Sequence, residues 1–446
     1  MERTGLALGG GGTRGSYQLG VWKYLREKDI HPVAVTGTSI GAANGALVVQ
    51  GDFHRAEELW MNLSPSYLLE MDQENRRVLE EGTEPGEAPD LPALLKQALA
   101  NGGLDMEPLR QVLEKYLDED RVRSAGADLG IVTVDITSRK PVIAFLEDIP
   151  RGQLFDYILA SCALPIFRSP EIDGHKFIDG AFYDVVPVKP LAGRNLDRII
   201  AVDLSGTGLR QGLRIPGTPV ITIRHSAPLG NTLQLDRAQA RNNAALGYLD
   251  AARTFGDYLG RRYFLTPDSS RDLLTPLTRE ETAYFQGIVS LPGSKIWNGR
   301  VTLGKLRKVL EKGSGPEMQE YYGRQEALLV SAAEITAEEL GIDRYRAWEL
   351  SGLLEAIRER ALELWKAHPP SRDNNLLGAV ASKVKAGKLD PGNLNPLLPE
   401  IITWGQDLER HGIFNLLALS LPRYCLTAFF LILLIRRGFL VLPENS

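Results

Sequence analysis

The stretch VAVTGTSIGAANGALVV, residues 33–49, decides how this chain is read. It opens as a short apolar run of strand length and closes as a helix-compatible run rich in Ala, Gly and Val, with Gly37-Thr38-Ser39-Ile40-Gly41 between them. A G-x-S-x-G at a strand-to-helix junction is a nucleophile elbow: the tight turn holds Ser39 strained, and Gly37 and Gly41 let the backbone close. The helix that follows aims its positive dipole end at Ser39. The G-x-S-x-G pattern alone recurs by chance in many chains, so its weight comes from the strand before it and the helix after it.

Just upstream, a strand-like run Gly5 to Leu8 leads into Gly9-Gly10-Gly11-Gly12-Thr13-Arg14-Gly15. Tyr17, Val21, Tyr24 and Leu25 then share one face of a helix. A loop of this kind leaves bare backbone N–H groups beside a helix start, where they hold an anion or a developing negative charge. Gly10, Gly12 and Gly15 also satisfy G-x-G-x-x-G, so a nucleotide-binding module is a competing reading. A dinucleotide site needs an acid at the tip of the second strand to hold the ribose. Here that strand, Val33 to Thr36, runs into the elbow instead, and no Lys completes a Walker sequence.

Further strand-length runs lie at Leu129 to Val134, Val142 to Phe145, Arg198 to Val202 and Val220 to Ile223. Alternation with helix-period segments predicts a three-layer α/β/α domain with a mainly parallel central sheet over 4–265. Charge and helix formers at about 73–123 read as a helical insertion. Helix signals take over in 266–400, with capping-box patterns at Thr278/Glu281 and Thr336/Glu339; Pro391 to Pro399 reads as a linker. The end of the chain, 401–446, is unusually apolar. Ile413 to Ile435 is broken by Asn415, Pro422 and Arg423 and closed by Arg436-Arg437, so 413–437 is expected either to lie on a membrane surface or to pack as an apolar helix. Its longest uncharged part is too short to span a bilayer.

Composition narrows the function. Lys and Arg number 51 against 56 Asp and Glu, a formal charge of −5, too balanced for a protein whose main partner is nucleic acid. Cys162 and Cys425 are too few for a disulfide framework or a thiolate zinc site. The start of the chain has no secretory h-region, so a cytoplasmic protein, at most at the inner face of the membrane, is expected.

Ser39 needs a base. His31 precedes the elbow strand, His54 follows its helix, and His368 and His411 belong to the helical region, which leaves His175 and His225 without evident triad context. Asp179-Gly180-Ala181 follows Lys176-Phe177-Ile178 and precedes Phe182 to Val188, a strand-turn-strand signature with the acid at a strand end. Read alone it is also an ordinary Asp-Gly turn. Asp135 and Asp203 end strands too and are the fallback bases.

Together, LALGGGGTRGSYQLGVWKYL (6–25), GTSIGAANGAL (37–47), ASCALPIF (160–167) and FIDGAFYDVVPV (177–188) resemble the patatin-like phospholipases in order and spacing. The resemblance covers about Thr4 to Leu265; Ala181 stands where many members have a second glycine. It implies a lipid acyl hydrolase with a Ser-Asp dyad and no catalytic His: Ser39 as nucleophile, Asp179 as base, and Gly10, Gly11 and Gly12 as oxyanion hole. Its substrates would be membrane lipids, phospholipid or lysophospholipid, and the chemistry requires no cofactor or metal. Arg14 either orients the loop, meets a lipid phosphate, or pairs with a nearby acid. A scaffold that has lost catalysis is the reading that an intact Ser39 and Asp179 argue against.

Overall fold

A computed structural model describes residues 2–62, 102–232, 236–267, 273–288, 299–370, 395–406, 417–418 and 421–443. The chain divides into two compact units, Met1–Phe255 and Gly256–Ser446.

In the first unit, strands β1 (Thr4–Leu8), β2 (Pro32–Thr38), β3 (Asp128–Asp135), β4 (Lys140–Phe145), β5 (Glu171–Ile172), β6 (His175–Asp179), β7 (Arg198–Asp203) and β8 (Val220–Arg224) form one sheet. Its order is β5-β6-β3-β2-β1-β7-β8, with β4 also paired to β3. The pairs from β3 through β2, β1 and β7 to β8 are parallel, whereas β4, β5 and β6 pair antiparallel. All six apolar runs expected as strands are strands. Those at the centre are near-continuously apolar because both faces are covered: Leu6, Ala7, Leu8, Val35 and Ile131 are all buried.

The helices of this unit are α1 (Ser16–Glu27), α2 (Ile40–Gln50), α3 (Phe53–Asn62), α4 (Glu107–Tyr116), α5 (Glu119–Ser124), α6 (Leu154–Cys162) and α7 (Arg237–Thr254). The stripe Tyr17, Val21, Tyr24 and Leu25 is buried as expected, and α1 packs along α7. Helices α2 and α6 lie against β2 and β3. Of the helical insertion read at about 73–123, residues 73–101 lie outside the described residues; the remainder holds α4 and α5.

One expectation fails in an instructive way. Phe182 to Val188 is not a second strand after the Asp179 turn. Gly180–Phe182 is a 3-10 turn, and the chain then crosses the sheet face as a strap. The hydroxyls of buried Thr36 and Thr38 donate to Pro187 O and Asp184 O, at 2.6 and 2.8 Å, so β2 side chains hold the carbonyls that a strand partner would have taken.

In the second unit, α8 (Arg279–Ile288), α9 (Gly299–Gly313), α10 (Pro316–Tyr322), α11 (Arg324–Glu339), α12 (Leu350–Ala367), α13 (Leu398–Gln406) and α14 (Pro422–Arg436) accompany a small parallel pair, β9 (Phe264–Leu265) with β10 (Ala347–Trp348). The first capping box is real: Thr278 N donates to Glu281 Oε2 at 2.8 Å, and Glu281 N donates back to Thr278 Oγ1 at 3.1 Å. The second is not. Thr336 and Glu339 sit in the last turn of α11, where Thr336 is fully buried and Glu339 pairs with Arg423 at 2.8 Å. Of the expected linker, 391–394 lies outside the described residues; Asn395–Leu397 is a 3-10 turn leading into α13, which holds Pro399 in its first turn.

Of the readings open for the apolar end of the chain, the packed helix is the one the described residues show. Residues 413–416 and 419–420 lie outside the described residues, but the rest of that segment enters α14, and every residue from Tyr424 to Leu434 is buried in the core of the second unit. A helix apolar on all sides is one surrounded by protein. Its terminal cations are also engaged: Arg436 pairs with Glu280 at 3.2 Å, and Arg437 with Glu281 at 2.8 Å. The Arg437 hydrogen bond, acting against burial, holds the Glu281 carboxyl down to about 2. The apolar surface and arginines read as a membrane contact are thus used inside the protein. No helix among the described residues is long and apolar enough to cross a membrane.

Burial of Leu426, Phe429, Phe430, Leu431, Ile432, Leu433 and Leu434 contributes on the order of 10 kcal/mol or more, as much as the net stability of a typical domain. Deleting residues from Pro422 onward is therefore expected to give aggregated protein in size-exclusion chromatography. A monomeric, cooperatively melting truncation that merely loses liposome binding would contradict the core role of α14.

Candidate active site

Strand β2 ends at Thr38, and the chain turns at Ser39 with φ 57° and ψ −130°, a conformation costly for any side-chain-bearing residue. Ser39 caps the N-terminus of α2. The turn closes only because position 41 has no side chain: a Cβ there would fall 2.2 Å from Leu8 O. Ser39 N donates to Ser161 Oγ at 2.8 Å, and Ser161 Oγ donates in turn to Val132 O at 2.7 Å. The Ser39 backbone is thus pinned to β3 through α6. Sequence reasoning assigned Ser161 no role, although it lies within the quoted ASCALPIF run.

Topology brings the acid to the elbow. Strands β2 and β6 both pair with β3 and meet end to end: Thr38 lies opposite Val132, and Asp179 opposite the next residue, Thr133. The last residue of β6 therefore arrives beside the residue that follows β2. Asp179 is fully buried. Its Oδ1 accepts from Ala181 N at 2.8 Å, which caps the 3-10 turn at Gly180. Its Oδ2 is buried with no partner of full hydrogen-bond geometry, which leaves it to the Ser39 hydroxyl. Burial pushes the Asp179 carboxyl up to about 6, against the opposing pull of the Ser39 side chain and the Ala181 N–H.

The other strand-end acids differ. Burial raises Asp135, but hydrogen bonds from Ser138, His175 and Thr137 outweigh it and hold the carboxyl down to about 2. Asp203 is also lowered despite burial, because Arg210 binds both its oxygens at 2.8 and 3.0 Å. Neither can take a proton readily near neutral pH. His175 Nδ1 lies 2.7 Å from Asp135, and the two nitrogens of His225 face Ala227 O and Ser205 Oγ, each at 2.9 Å. Both histidines are occupied away from Ser39.

The glycine loop runs alongside Ser39: a Cβ on Gly10 would sit 3.2 Å from Ser39 Cβ. Gly9 N and Gly10 N are committed to Val202 O and Val185 O, so Gly10 has no N–H to offer an oxyanion. The N–H groups of Gly11 and Gly12 have no acceptor among the described residues. Thr13 N donates to Thr232 O at 2.9 Å. The Arg14 guanidinium donates to Gly230 O at 3.0 Å and Ser205 O at 3.4 Å, without a carboxylate partner among the described residues. Of the three roles open to Arg14, the contacts are those of a residue that orients the loop.

An apolar cavity opens at Ser39 and Gly12, walled by α2, α3, α4 and the chain after α6, including Leu113, Leu164 and Phe167. Ser39 therefore faces a largely apolar space. A strained serine, an adjoining carboxylate of raised proton affinity, two free N–H groups and an apolar cavity can together attack a carbonyl attached to a hydrocarbon chain.

Residues 6–192 match the family model described as patatin-like phospholipase, a range that includes Ser39, Asp179 and the glycine loop. Among curated proteins, an uncharacterized NTE family protein of Mycobacterium tuberculosis is 29% identical over 206 residues, 46% of this chain and 50% of that protein. Triacylglycerol lipase 4 of Saccharomyces cerevisiae is 26% identical over 229 residues, 46% and 24% of the respective chains. Lysophospholipase nte1 of Aspergillus terreus is 27% identical over 206 residues, 45% and 12%. The chain thus spans about half the length of the first of these relatives and less of the others. Among solved structures, VipD from Legionella pneumophila aligns over 100% of this chain and 93% of its own, at 13% identity and a TM-score of 0.37.

Proposed function

Because residues 6–192 of this chain are a patatin-like phospholipase domain, we propose that the protein is a serine lipid acyl hydrolase that cleaves carboxylic esters of phospholipids or lysophospholipids through Ser39 and Asp179. The observation that carries the reading is Asp179: a buried strand-end carboxylate, raised to about 6, with one oxygen left for the Ser39 hydroxyl.

Ser39 Oγ attacks the ester carbonyl carbon as Asp179 Oδ2 takes its proton. The carbonyl oxygen becomes an oxyanion that accepts from Gly11 and Gly12 N–H, each such donor being worth on the order of 3 kcal/mol, with the positive end of α2 adding to the field. Collapse expels the alcohol, which takes the proton from Asp179 and leaves an acyl-Ser39 ester. Water then attacks that ester with Asp179 as base, the fatty acid leaves, and the proton returns to Ser39.

Incubating the protein with phosphatidylcholine liposomes, lysophosphatidylcholine micelles or a triacylglycerol emulsion and quantifying the released fatty acid by mass spectrometry tests the reading and ranks the substrate classes. Release from none of them would remove it. The base also sets a pH dependence: it must be ionised to work, so kcat/KM on a soluble ester should fall about tenfold per pH unit below about 6. An acid limb at about 4, the ordinary carboxylate range, would exclude a buried Asp179 as the base. The nucleotide-binding reading of the glycine loop has less support, since the loop lies against Ser39 and the 230–232 chain covers Gly12 and Thr13.

A further inference from the structure

The cavity at Ser39 has a rigid wall that the hydrolase reading does not use. Along α2 it is lined by Ile40, Ala43 and Asn44 and by nothing further down that helix. At 1.5 Å per residue the lining stops about 7.5 Å beyond Ser39. At that point the Trp60 indole, on α3, donates Nε1–H to Asn44 Oδ1 at 3.0 Å. The Asn44 amide donates to Gly15 O at 3.0 Å and to Gln18 Oε1 at 2.8 Å, and Gln18 donates to Gly9 O at 2.7 Å. Asn44 has both its oxygen and its amide nitrogen engaged, so it fixes the indole firmly. Behind the ring there is no slack either, since a Cβ on Gly15 would lie 2.7 Å from Trp60 Cζ2. Trp60 is 2% exposed.

We propose that Trp60 is a specificity-determining residue that sets the length of acyl chain this site accepts, an inference that rests on the hydrolase reading. A flexible side chain would yield to a longer chain, but an indole held by a hydrogen bond at Nε1 and by the Gly15 backbone beside Cζ2 does not. Short chains fit between Ser39 and the indole. Longer ones meet it before their carbonyl reaches Ser39.

The test is the ratio of kcat/KM for p-nitrophenyl palmitate to that for p-nitrophenyl butyrate, which does not depend on the fraction of protein folded. Trp60→Ala should raise that ratio at least about tenfold, the scale of discrimination a methylene or two supplies in an apolar pocket. Trp60→Phe keeps most of the ring but loses the Nε1–H bond to Asn44, and its ratio should fall between wild type and Trp60→Ala. Ala43→Leu narrows the cavity beside the indole and should lower the ratio. Fluorophosphonate labelling reports whether each variant still assembles its site; if Trp60→Ala fails to label, Trp60→Leu decides by the same ratio. A labelled Trp60→Ala with an unchanged ratio overturns the role of Trp60 and leaves the hydrolase reading standing. A wild-type chain that cleaves no ester overturns both.

Discussion

Ser39→Ala is expected to lose at least about 10⁴-fold in ester turnover and all reaction with a fluorophosphonate, because the attacking oxygen is gone and nothing else in the cavity can replace it. The backbone of the elbow should survive, since it is held by Ser39 N to Ser161 and not by the hydroxyl. Ser39→Gly sharpens the expectation. The φ of 57° and ψ of −130° store strain of about 1–3 kcal/mol in a residue with a side chain. Glycine releases that strain at the cost of about 1 kcal/mol in unfolded-chain entropy. Ser39→Gly should therefore be as inactive as the alanine variant yet melt at or above the wild-type temperature. A marked drop in melting temperature would mean that the elbow is not strained.

Asp179→Asn is expected to cut turnover at least about 100-fold and to make the protein more stable at neutral pH. The sign follows from the raised pKa. In the fold the carboxyl holds its proton up to about 6, against an ordinary value of 3.8. The folded state is thus favoured by protonation fully below 3.8, and that advantage is lost as the pH rises through 6. Above that, burying the charge costs on the order of 3 kcal/mol, which an asparagine does not incur. Its amide retains an oxygen for Ala181 N and offers a donor to Ser39. Urea unfolding at pH 8 should show the variant ahead, and the gap should close near pH 4. A variant less stable at pH 8 would contradict the buried carboxylate, and undiminished turnover would contradict its role as base.

Much of the site could be read from the sequence because its parts are local. The elbow is one turn, the glycine loop follows one strand, and Asp179 ends another, so the strand pattern and a few glycines mark them as candidates, and the resemblance to the patatin-like phospholipases implies their roles. Ser161, Asn44 and Trp60 were invisible for the opposite reason: Ser161 meets Ser39 across 122 positions, and Trp60 meets Asn44 across 16. Nothing in a hydroxyl, an amide or an indole announces such a partner. Gly10 could not be separated from Gly11 and Gly12 without knowing that Val185 O takes its N–H. Residues 421–436 show the limit of hydrophobicity itself. An apolar helix ending in two arginines reads the same whether it faces lipid or protein, and the core around it, with Glu280 and Glu281 on its arginines, shows which. The strap after Asp179 was misread as a strand because an apolar run does not say whether edge carbonyls or the Thr36 and Thr38 hydroxyls will bind it.

The most direct test of Ser39 as nucleophile is to trap its ester. Wild-type protein mixed with an excess of p-nitrophenyl butyrate, quenched in acid within the first turnovers and digested, should yield the peptide containing Gly37 to Gly41 heavier by one butyryl group on Ser39. Asp179→Asn should show the same adduct formed more slowly. A butyryl group on any other residue, or rapid product release with no acyl-protein at any quench time, would contradict the account.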